Sequence, residues 1–131
     1  EQISSGSGLD AVHEAICDMH GKPYERLEPQ QIALNALASD PVCIMVCEIR
    51  AAATLSAAGS LALVGGCRGG VTLAGGVSER MINFFKTDKA VARFTKRGPR
   101  TAYMQRIPIR VMHNPNAPLI GAAALLRDGE S

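Results

Sequence analysis

The sequence predicts a helix-rich α/β domain with a few short parallel strands, and three observations carry that expectation. Two short apolar runs, "VTLA" at 71–74 and "IPIRVM" at 107–112, flank a helical stretch. That strand–helix–strand order gives parallel pairing. Ala51 to Cys67 contains no charged residue and reads as part of a central buried helix. With 131 residues, 47% apolar and 20% charged, the chain suffices for one core and not two.

The elements follow in order. "SGSGLDAVHEAICDMHG" reads as a helix with Ser7 as N-cap, Asp10 in the box position and Leu9, Val12, Ile16 and Met19 as its apolar stripe. Gly21 ends it, and "KPYERLEP" is a polar loop. Pro29 opens a short helix with Ile32, Leu34 and Leu37 as apolar residues. Asp40 caps and Pro41 starts a long helix. Its uncharged part raises the question of a membrane span. Richness in Ala, Gly and Ser, and a length below the roughly 20 residues that a bilayer requires, favour a buried helix instead.

"GGCRGG" then turns into the first strand. "ERMINFFKTDKAVARFTK" is one broken helix or two short ones, with Met81, Phe84 and Phe85 in the core, and "RGPRTAYMQR" is a loop. After the second strand, Pro118 starts a last helix whose apolar residues are Leu119, Ile120, Ala123 and Leu126. Two strands make a poor sheet alone, so further strands are expected from an N-terminal part. The chain opens on Glu1 rather than a methionine, as a piece of a longer polypeptide would.

The turn "GGVS" between the first strand and its helix is the candidate site. In open α/β sheets ligands collect at the carboxyl ends of the strands. Removing two Cβ atoms at Gly75 and Gly76 lets a flat or anionic ligand approach the backbone, and a nucleotide suits that geometry. A purely conformational need for glycine is the competing reading. Neither G-x-G-x-x-G nor G-x-x-x-x-G-K-[ST] occurs, so neither a dinucleotide fold nor a P-loop is supported.

Charge is uneven along the chain. Residues 1–48 carry eight acids and two bases, whereas residues 80–110 carry nine bases and one acid, Asp88. With no Trp, two Tyr and three Phe, stacking surfaces for single-stranded nucleic acid are hard to build, so no nucleic-acid partner is expected; nor, with the long helix read as buried, is a membrane. Cys17, Cys43, Cys47 and Cys67 form no C-x-x-C pair. They read as buried free thiols of a cytoplasmic protein, with no metal site. His13, His20 and His113 read as structural rather than acid–base residues, and Arg68 as a partner of carbonyls or a carboxylate.

Taken together in order, "SGSGL", "LASDP", "RGGVTLAGG", "IPIRVM" and "PLIGAA" resemble the C-terminal part of bacterial glucokinases, over nearly the whole chain. These enzymes belong to the sugar kinase, actin and Hsp70 superfamily. The resemblance implies a ribonuclease H-like (actin-like ATPase) lobe, with residues 1–131 as the C-terminal portion of the glucokinase large domain. It implies ATP-dependent phosphorylation of glucose with Mg2+, in a cytoplasmic homodimer. Gly75 and Gly76 are then similar to the family's adenosine motif, with Val77 and Ser78 flanking it. Glu1 is similar to a glutamate that accepts hydrogen bonds from sugar hydroxyls, and Gly121 and Ala122 to a tightly packed helix start. Ser7 stands where the family usually has proline, and Ser60 where it has Asn or Asp.

The family's phosphate loop, its N-D pair with the general-base aspartate and its G-E-G-G-H segment do not occur in these residues, so none of them is expected to be catalytic. The alternative reading is a sugar-kinase-like sensor domain of the same superfamily.

Overall fold

A computed structural model describes residue 3, residues 6–114 and residues 116–129. The elements are α1 (Gly6–Met19), α2 (Pro29–Leu37), α3 (Pro41–Gly65), β1 (Val71–Leu73), α4 (Gly76–Arg80), α5 (Ile82–Phe85), α6 (Asp88–Thr95), a 3-10 turn (Gly98–Arg100), α7 (Thr101–Met104), β2 (Ile109–Val111) and α8 (Ala117–Gly129).

Helix α3 is the axis of the fold. The Asp40 carboxylate accepts from the Cys43 amide at 2.7 Å, and Pro41 occupies the first turn, where its missing N–H costs nothing. Cys43, Cys47, Ala51, Leu55, Ala58 and Ala62 follow at helical spacing and are buried. Against that stripe pack α1, α2, α5 and α6. By length and composition α3 could cross a membrane, yet here it holds four neighbours.

Small residues along α3 let those neighbours come close. A Cβ at Gly59 would stand 2.8 Å from the Phe94 carbonyl oxygen of α6. Phe94, Met81, Phe85 and Met104 fill the space between α3 and the second half of the chain. Thr87 caps α6, its hydroxyl accepting from the Ala90 amide at 3.3 Å.

Several local expectations change. Ser7 lies inside α1, which begins at Gly6, two residues earlier than a Ser7 cap requires. The side chain of Ser7 lies outside the described residues, and with it the capping box expected with Asp10. The Asp10 carboxylate accepts from the Tyr24 hydroxyl at 2.9 Å and the Leu27 amide at 3.4 Å, strapping the polar loop over α1. That strap brings the Tyr24 ring beside His13, centroids 5.7 Å apart and tilted by 55°, while Met19 is 81% exposed. In α2, Ile32, Ala33 and Ala36 are buried while Leu34 and Leu37 point outward, because α3 covers the other face. Residues 79–96 fall into three pieces, the end of α4, α5 and α6, rather than one broken helix or two short ones, and "RGPRTAYMQR" contains a 3-10 turn and α7.

The strands pair in parallel, Val71 with Ile109, Thr72 with Arg110 and Leu73 with Val111, as the strand–helix–strand order predicts. Flanking bonds extend the ladder: Val71 donates to Pro108 at 2.9 Å and Met112 to Leu73 at 2.8 Å. Helix α8 forms where expected, but Leu119, Ile120, Leu125 and Leu126 are exposed on it. A Cβ at Gly121 would meet nothing within 4 Å, so no tight packing occurs there against the described residues.

Candidate functional site

Parallel pairing brings the two strand exits side by side. Beyond Leu73 the chain runs through Ala74, Gly75 and Gly76 into α4; beyond Val111 it runs through Met112, His113 and Asn114 toward α8. Between the exits lies a cleft of about 330 Å³, at the low end for small-molecule sites. Ala74, Gly75, Gly76 and Glu79 form one wall, and Met112, Asn114, Ala117 and Pro118 the other.

The two glycines answer to different constraints. Gly75 has φ +116°, a conformation that side chains rarely adopt, so the turn itself requires glycine there. Gly76 has no positive φ, and a Cβ built on it would meet nothing within 4 Å. Neither backbone geometry nor packing within the described chain demands glycine at 76. The space beside it is open toward the cleft.

Helix α4 is only five residues long and breaks at Met81, so its dipole adds little to the site. The Ser78 hydroxyl turns back to the Ala74 carbonyl, 3.5 Å away, and Ser78 does not line the cleft. The side chain of Val77 and the whole of Glu1 lie outside the described residues. Gly75 and Gly76 are therefore the expected residues that the fold brings to the cleft.

Sequence reading missed Glu79 and the far wall. Glu79 pairs with Nδ1 of His113, joining the walls across the rim. The Asn114 side-chain oxygen accepts from the Asn116 amide at 2.9 Å and shapes the turn into α8. The signal for this wall was the second strand itself: once two strands run parallel, residues just past the second must stand beside those just past the first.

The other titratable residues lie elsewhere. His13 is buried, with Nε2 3.5 Å from the Cys17 sulfur on the next turn of α1. His20 and Arg68 are exposed. Burial pushes the Cys43 thiol up to about 12, with a further contribution from Asp40, and the Cys47 thiol up to about 11. Cys17, Cys43 and Cys47 are buried and free; Cys67 is half-buried and free. Ser60 donates to the Ser56 carbonyl within its own helix at 3.1 Å. Among the described residues no three His, Cys, Asp or Glu side chains gather into a metal-ligand set.

A family model described as Glucokinase matches residues 1–129. The glucokinase of Caulobacter sp. strain K31 is 37% identical over 132 residues, covering 100% of this chain and 40% of that protein. The glucokinase of Chromobacterium violaceum is also 37% identical, over 98% of this chain and 37% of its own length. The crystal structure of a glucokinase from an Antarctic psychrotroph superposes with a TM-score of 0.80 at 32% identity, covering 98% of this chain and 40% of that one. The chain thus spans about 40% of the length of these relatives.

Proposed function

The chain belongs to the glucokinase family, and from that premise we propose that it forms the C-terminal, adenosine-side portion of an ATP-dependent glucokinase. The whole enzyme would move the γ-phosphoryl group of ATP to a hydroxyl of glucose, in the cytoplasm and as a homodimer. The single observation that carries this reading is the open space beside Gly76, at the carboxyl ends of two parallel strands.

Each part then has a task. Gly75 makes the turn, and Gly76 leaves the main chain bare so that a flat nucleoside can lie against it. Met112, Ala117 and Pro118 give the opposite wall an apolar face that excludes water from the base. Val77 and Ser78 flank the turn, and Glu1 would accept hydrogen bonds from sugar hydroxyls. The aspartate that takes the hydroxyl proton has no counterpart among these residues. Nor do the described residues fit Mg2+: they give the cleft one carboxylate, Glu79, and no three of their His, Cys, Asp or Glu side chains gather into a ligand set. The apolar residues exposed on α8 suit a surface that another part of a longer enzyme covers.

The test is a coupled assay with glucose and ATP. The full-length protein should phosphorylate glucose, and the 131-residue chain alone should not. A full-length protein that binds glucose yet shows no ATP-dependent turnover would instead support the sugar-sensing role.

A further inference from the structure

Glu79 is the acidic residue lining the cleft among the described residues, and most of its surroundings are apolar: Ala74, Met112, Ala117 and Pro118. Its side chain is 25% exposed, whereas its partner His113 is 81% exposed at the rim. A contact with so exposed a partner adds little to folding stability. What it does is fix the direction of a carboxylate. Oε1 is the oxygen that His113 engages, leaving Oε2 as an acceptor. A carboxylate accepts hydrogen bonds and repels other acceptors, the more strongly where water is scarce.

We propose that Glu79, positioned by His113, selects the nucleoside by accepting a hydrogen bond from a donor group that the nucleoside presents. Two groups of ATP offer that chemistry, the ribose hydroxyls and the exocyclic amine of the base. This proposal rests on reading the cleft as the nucleotide site. Glu79 touches the ligand; His113 acts through Glu79 and is a positioning residue.

The experiment measures binding and initial rates of the full-length protein with ATP, 2′-deoxy-ATP and inosine triphosphate, which lacks the amine. The unaltered protein should prefer ATP over one of the two analogues by about tenfold, the scale of a hydrogen bond to a charged group. Glu79→Ala should bring that preference within about twofold of unity, with the loss falling on KM, and Glu79→Gln should lower it in part. A preference lost for the deoxy analogue assigns the donor to the ribose; one lost for the inosine analogue assigns it to the amine. His113→Ala should shift KM in the same direction by less than Glu79→Ala.

Gly76→Leu, which fills the cleft, separates the two readings. If it weakens ATP binding while Glu79→Ala leaves both preferences unchanged, the cleft stands and the role of Glu79 falls. If Gly76→Leu leaves ATP binding unchanged in a folded protein, the site itself falls, and this proposal with it.

Discussion

The guanidinium of Arg97 lies over Gly59, where a Cβ on the glycine would come within 2.6 Å of Nη2. Nη2 donates to the Ser56 carbonyl at 2.6 Å and Nε to the Phe94 carbonyl at 3.3 Å. One side chain thus ties the end of α6 to the middle of α3 across a bare stretch of helix. The contact seals the interface behind which Phe94 and Met81 are buried.

Gly59→Ala should therefore destabilise the fold although alanine favours helix. The arginine end can move, but the Phe94 carbonyl oxygen and Cα, 2.8 and 3.1 Å from the new methyl, are backbone. Overpacking of this kind costs about 1–3 kcal/mol. A urea midpoint unchanged from the parent would show that α3 and α6 do not approach this closely.

Asp40→Ala should cost about 1 kcal/mol by removing the cap of α3. The hydrogen bond from the Cys43 amide holds the Asp40 carboxyl below its ordinary 3.8. Because the folded value is the lower one, the stabilisation is present above 3.8 and is lost as pH falls through that lowered value. The stability difference between parent and variant should accordingly shrink in acid. A difference that stays constant from neutral pH down to strong acid would exclude the cap.

Thiol chemistry should follow burial. Brief alkylation near neutral pH, mapped by mass spectrometry, should modify Cys67 before Cys17, Cys43 or Cys47. For Cys43 and Cys47 the folded values, about 12 and about 11, exceed the ordinary 9.0. The stability gained by keeping both thiols neutral is therefore intact below 9.0 and lost as pH rises through those values. Early labelling of Cys43 in native protein would contradict the packing of α3 against its neighbours.

The glycines at the strand exit should separate stability from binding. Gly75→Ala forces a side chain into φ +116° and should cost about 1–3 kcal/mol in thermal or urea unfolding. Gly76→Ala should leave stability within about 1 kcal/mol, because open space and helix propensity both accept alanine. It should nonetheless raise KM for ATP. Equal effects of the two substitutions on stability would mean that position 76 is held by conformation after all.

Much of the fold was legible because its signals are local. Asp40–Pro41 marks the start of α3, and the apolar runs at 71–74 and 107–112 contain β1 and β2. Strand order predicted the parallel pair, and the Gly75–Gly76 step marked the place where the cleft opens. Helix faces were harder. Periodicity placed Leu34, Leu37 and Met19 on apolar stripes, but which side of a helix is buried depends on the neighbour that covers it.

By itself, then, the sequence determined where α3 starts and where the two strands lie, which turn carries the bare backbone, and the glucokinase resemblance. The tertiary structure alone decided that Glu79 and His113 meet and that Met112, Asn114, Ala117 and Pro118 face the glycines. The physical reason is distance along the chain. Setting Leu73 beside Val111 joins segments 38 residues apart through backbone hydrogen bonds that no side-chain pattern at either end spells out. Each strand is only three residues long, so neither carries a side-chain pattern that names its partner or register.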